Sequence, residues 1–148
     1  VVLSTKLRRA PGRIAAGAFI LNAGLGKLKA DEATAKGIHG MASGTYPMLK
    51  DVEPKKFIKG LAIGEIALGG ALLLPIFPAG LVGLGVVGFA GSLLGTYWRT
   101  PGMHEAGDPR PTQAGTPIAK DVWLLALGAG LVIDAVLSEA KITRTEED

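Results

Sequence analysis

The chain has 148 residues, 48% of them apolar and 22 of them glycine, with a mean hydropathy of +0.35. A formal net charge of +3 is too small to mark a nucleic-acid binder. The lack of cysteine removes disulfides, thiolate nucleophiles, iron–sulfur ligation and Cys-type zinc sites together.

The apolar residues are gathered into four blocks of roughly twenty residues, the length that crosses about 30 Å of hydrocarbon as helix. Basic residues sit beside these blocks, where anionic lipid headgroups would meet them. This partition predicts a single domain over residues 1–148, an all-α integral membrane four-helix bundle with helices near 13–29, 56–74, 79–98 and 117–138. The apolar content before Lys6 is too short for a signal peptide, and none is expected.

In chain order, Lys6, Arg8, Arg9 and Arg13 lead into the first block, with Pro11 as a first-turn residue. The block is short for a span, but Arg13 and Lys27 can lay their stems along it. Residues 30–55 form a polar connection, with a short interfacial helix at 33–42, that caps the bundle or contacts another subunit. Pro75-Ile76-Phe77-Pro78 breaks the next apolar stretch into a tight helical hairpin. Residues 99–116, rich in proline and glycine, read as an aqueous loop. The last helix opens at Pro117, and the charged tail from Thr143 is expected to fray.

Tyr97, Trp98 and Trp123 fall at one depth, as an aromatic belt at a membrane interface requires. The basic cluster before the first helix predicts both termini inside, whereas the Lys and Arg total of the two long loops favours the reverse. Glycine costs a helix in water about 1 kcal/mol per residue, but in lipid it lets helix backbones approach. Gly60 and Gly64 in the second helix, with Gly80, Gly83, Gly88, Gly91 and Gly95 in the third, are therefore expected to form the packing seam.

Four residues are too polar for their depth: Asn22, Lys27, Glu65 and Asp134. A lone charge at the bilayer centre costs at least about 3 kcal/mol, so each needs a partner. Depth counting at about 1.5 Å per residue puts Asn22, Lys27 and Glu65 within reach of one another, as one polar cluster. It sets Asp134 level with Arg13, which predicts an ion pair between the first and last helices. Glu65 has three readings: a structural ion pair, a quinone contact or a proton-transfer group. His39 and His104 fall in the polar connections, away from the positions a haem-binding bundle uses, and are expected to be solvated. No metal site is expected.

The phrase Arg13-Ile14-Ala15-Ala16-Gly17, continuing to Asn22-Ala23-Gly24-Leu25-Gly26-Lys27-Leu28, resembles the opening motif of the DoxX family of small four-helix bacterial membrane proteins. The run from Gly64-Glu65 to Leu74 resembles that family's glutamate followed by glycine and leucines. The likeness covers about residues 8–137 and departs from the family pattern at Pro75–Pro78 and in the proline-rich loop. It implies a subunit of the bacterial plasma membrane associated with respiratory or thiol-oxidising electron transfer to quinone. Three functions remain in play. The first is an accessory, non-catalytic subunit of a respiratory complex or supercomplex, binding no cofactor itself, surrounded by lipids and with quinone nearby. The second is a DoxX-like quinone-linked oxidoreductase subunit working with a soluble redox partner, and the third is a small transporter.

Overall fold

The computed structural model describes residues 3–147, with side-chain surroundings for residues 3–145. This part of the chain is all-helical. It contains α1 (Leu3–Leu28), α2 (Glu32–Thr45), a 3-10 turn (Pro47–Leu49), α3 (Pro54–Leu73), α4 (Ala79–Arg99), the single turn α5 (Thr116–Ala119) and α6 (Asp121–Glu147). Two stretches, Ala79–Arg99 and Thr116–Thr145, are long and apolar enough to cross a membrane. More charge lies along the other two long helices: Lys6, Arg8, Arg9, Arg13 and Lys27 in α1, and Lys55, Lys56, Lys59 and Glu65 in α3.

α1 starts at Leu3, not near residue 13, and Pro11 lies inside it. The segment ahead of the proline is mostly Leu, Lys, Arg and Ala, good helix formers, and proline removes only the bond to the Leu7 carbonyl. Leu7 is exposed, so that carbonyl does not belong to a core residue. The polar connection also holds more helix than its composition predicts. Asp31 caps α2, its carboxylate accepting from the Thr34 N–H at 2.8 Å, and this bond holds the Asp31 carboxyl below the usual range. α2 lies on α3 and α4 of its own chain, and the Tyr46 hydroxyl donates to the Ser92 carbonyl at 2.8 Å. At the other end of the chain α6 is helical through Glu147, where a frayed tail is expected from the charges; Asp148 lies outside the described residues.

The long helices associate as two close antiparallel pairs, α1 with α3 and α4 with α6. Glycine decides both contacts. A Cβ on Gly17 would lie 3.0 Å from the Gly69 carbonyl oxygen, and one on Gly24 would lie 2.8 Å from that of Ala62. In the second pair, a Cβ on Gly83 would lie 2.9 Å from the Gly128 carbonyl oxygen, and the reverse distance is 3.0 Å. The predicted seam is therefore used only in part: Gly83 makes the α4–α6 contact, and a Cβ on Gly80 would lie 3.3 Å from that of Ala135. Gly60, Gly64, Gly88 and Gly91 have open space where a side chain would stand, and Gly95 meets only the Tyr46 hydroxyl. Glycine spacing marks a close approach without saying which side of the helix makes it. Between the pairs, Ala16, Ile20, Leu72, Val82, Val86 and Leu131 form the core.

Candidate functional site

Glu65 is the most deeply placed acid among the described residues, its side chain 4% exposed. It stands midway along α3, on the face turned to α1, and Lys27 stands near the C-terminal end of α1. Helix side chains tilt toward their own N-terminus, so in an antiparallel pair these two lean toward each other. Lys27 Nζ donates to Glu65 Oε1 at 3.0 Å, with the lysine side chain 22% exposed. The second carboxylate oxygen, Oε2, is buried and accepts from no donor among the described residues. A ligand hydroxyl or N–H would complete its bonding. Asn22, expected in this cluster, is instead exposed on the outer side of α1. Level in the bundle does not bring it round: Asn22 is five residues before Lys27, well over one helical turn and out of phase with it.

The opposite end of the α1–α3 pair is also rearranged from expectation. Asp134 binds Arg8 at 2.6 Å and Arg9 at 2.5 Å, not Arg13. Arg13 turns to α3, where its guanidinium donates to the carbonyls of Ala71, Leu72, Leu74 and Phe77 at 2.9–3.0 Å. A helix C-terminus leaves carbonyls without internal partners, and Arg13 supplies the donors that the turn at residues 74–78 lacks. Because α1 extends ahead of Pro11, Arg8 and Arg9 lie on ordered helix one turn before Arg13, in reach of Asp134.

Known families, curated proteins and solved structures give no match to this chain.

Of the predicted aromatic group, Trp98 and Trp123 are exposed, but Tyr97 is buried. Consecutive helical residues point about 100° apart, so Tyr97 and Trp98 cannot share an outward face. Tyr97 donates from its hydroxyl to the Pro109 carbonyl at 2.7 Å and so pins the loop between α4 and α5. That loop is folded: His104 and Pro111 form an antiparallel bridge, and Gly102 and Gly107 take the positive φ values (83° and 69°) that its turns require. Neither histidine is merely solvated. His39 lies in α2, within 2.8 Å of the Leu49 carbonyl and edge-on to Phe57. His104 stacks on Trp98 with ring centroids 4.4 Å apart, and its two ring nitrogens face the carbonyls of Glu105, Asp108 and Trp98. The carbonyl of Glu105, then that of Trp98, favours the imidazolium and raises its pKa. Among the described residues, no three His, Asp or Glu side chains gather as a metal-ligand set.

Proposed function

We propose that the chain is a multi-pass subunit of a bacterial plasma membrane, accessory to a respiratory electron-transfer complex. The observation that carries the membrane part is the exterior. Ile14 and Phe19 on α1, Ile63 on α3, Leu84 on α4, and Ile133 and Leu137 on α6 all face outward, each more than half exposed. In water, so continuous an apolar surface marks an interaction site or an aggregation hazard; in hydrocarbon it is the expected exterior. The accessory role is supported by what the polar groups do. Asp134 and Lys27 are engaged in ion pairs that hold helices together, and Arg13 closes a helix end. Glycines open to the outside on α3 and α4 leave room for another helix to approach. The respiratory context comes from the DoxX resemblance of the Arg13–Leu28 and Gly64–Leu74 phrases.

The test is mild detergent extraction of the native membrane, followed by identification of what travels with the chain. Haem absorbance and cytochrome subunits are expected in the sample. A monodisperse lone protein overturns the accessory role, and protein released by alkaline carbonate overturns the membrane reading itself.

One observation favours a second reading, a quinone-linked subunit. Glu65 Oε2 has an acceptor to spare in a buried place, as a quinol hydroxyl requires. Against it, the clefts of about 740 and 210 Å³ lie at the arginine-rich end, and neither is lined by Glu65 or Lys27. Slow electron transfer in a fully assembled Glu65→Gln complex would promote this second reading.

A further inference from the structure

Between α1 and the turn at residues 74–78 lies a cleft of about 740 Å³. Its polar wall is cationic, built from Lys6, Arg9 and Arg13, and its other wall is apolar, with Ile14, Ile76 and Phe77 exposed along it. Positive charge exceeds negative there. Lys6, Arg8, Arg9 and Arg13 crowd one end of α1, and the one carboxylate they meet among the described residues is Asp134, already shared by Arg8 and Arg9. Arg13 spends its hydrogen bonds on neutral carbonyls, which satisfy its donors and leave its charge unbalanced by any acid. Lys6 meets no carboxylate among the described residues. In the adjoining groove of about 210 Å³, Glu139 and Lys141 carry opposite signs and leave the excess unchanged. Ala79, the first residue of α4, also lines the cleft, and that helix starts without a side-chain cap. Its N-terminal dipole adds to the positive field.

We infer that this cleft binds the phosphodiester headgroup of an acidic phospholipid, with the first acyl carbons against Ile14, Ile76 and Phe77. The inference rests on the membrane reading above, which sets this end of α1 at the headgroup level. Charge and shape each select the occupant. A zwitterionic headgroup brings its own cation against Lys6 and Arg9, whereas a net anionic one does not. A free phosphate would satisfy the cations but leave the apolar wall uncovered.

Full-length protein in nanodiscs tests the assignment by native mass spectrometry of retained lipid and by thermal unfolding. Phosphatidylglycerol should be retained over phosphatidylcholine and should raise the unfolding temperature. Lys6→Gln touches none of the helix contacts and should lower that retention roughly fivefold, since one basic residue near a membrane surface contributes that order of affinity. Ile76→Glu should abolish the preference while the protein stays folded, as judged by circular dichroism. Equal retention of the two lipids by the wild type, or no change with both variants, overturns the proposal. Inorganic phosphate that displaces the lipid completely at millimolar concentration also overturns it, in favour of a soluble-anion site. A protein that never enters the bilayer fails the membrane reading instead, and that outcome is visible before any lipid comparison.

Discussion

A carboxylate oxygen without a donor among the described residues, beside one that holds an ammonium, makes Glu65 the residue whose chemistry separates structure from function. Glu65→Gln leaves Lys27 without its counter-charge, and the half-broken pair costs more than a pair removed whole. Lys27 retains partial exposure and a flexible stem, so it can swing outward and limit the loss to about 1–2 kcal/mol. The double variant Glu65→Gln, Lys27→Met should regain part of that loss in a thermal melt, and electron transfer in the host complex should follow assembly throughout. No rescue in the double variant argues for a ligand on Glu65. His104 gives a pH-dependent counterpart outside the apolar helices. Its pKa is raised in the fold, so its contribution is fully present below the unfolded value of about 6.5 and is lost as pH rises through the folded value. In a Trp123→Phe background, Trp98 fluorescence should therefore titrate above that unfolded value as the stacked imidazolium loses its proton. A transition at or below it would mean that the carbonyls do not hold the charged ring. The Lys27–Glu65 contact was legible because two charges of opposite sign stood in apolar runs at compatible depths. The carbonyl cap by Arg13 was not, since backbone acceptors carry no sequence signature.

Helices α3 and α4 were readable to within a few residues because lipid-length apolar runs bounded by proline and charge fix where a helix starts and stops, whereas α6, expected over 117–138, runs on through the charged tail to Glu147. The start of α1 was misread for the same reason in reverse. A proline is compatible with a first turn, and nothing local shows that the helix already runs ahead of it. Glycine was legible only in part, Gly83 at the contact and Gly91 not, because periodicity locates a small-residue face and the partner decides whether that face is used. The structure separates the two kinds by experiment. Gly69→Ala places a methyl 2.5 Å from the Leu21 nitrogen and 2.8 Å from the Gly17 carbonyl oxygen, contacts with backbone that cannot yield locally. Overpacking of this kind costs about 1–3 kcal/mol, and Gly69→Ala should lower the melting temperature of the isolated protein in detergent. Gly91→Leu, with open space at its Cβ, should melt within about 0.5 kcal/mol of wild type. If the two variants melt alike, the close approach of α1 and α3 does not govern stability.

At the scale of the whole molecule, the antiparallel pairing sorts the polar parts to two ends. One end holds Arg8, Arg9 and Asp134 together, with Arg13 on the turn at residues 74–78. The other holds α2 against α4 and the folded loop pinned by Tyr97 to Pro109. The long helices between them measure about 30–40 Å at 1.5 Å per residue, enough for the hydrocarbon layer and part of its headgroups. On the membrane reading proposed above, Lys6 and Asp108 belong to opposite faces of a membrane, and Lys6 shares its face with the turn at Ile76. The chain has no native cysteine, so a thiol introduced at one position is the sole target of a labelling reagent. With Lys6→Cys, Ile76→Cys and Asp108→Cys made singly, a membrane-impermeant maleimide should label sealed vesicles at Asp108→Cys only, or at the other two only. Inverting the vesicles should exchange the pattern. Lys6→Cys and Asp108→Cys labelled from the same side would mean that an even number of α1, α3 and α4 crosses, and Ile76→Cys labelled from the other side would then place the failure in α1 or α3. If α1 is the helix that fails, its basic end would lie along the membrane surface, and the Lys27–Glu65 bond that holds it against α3 could not form.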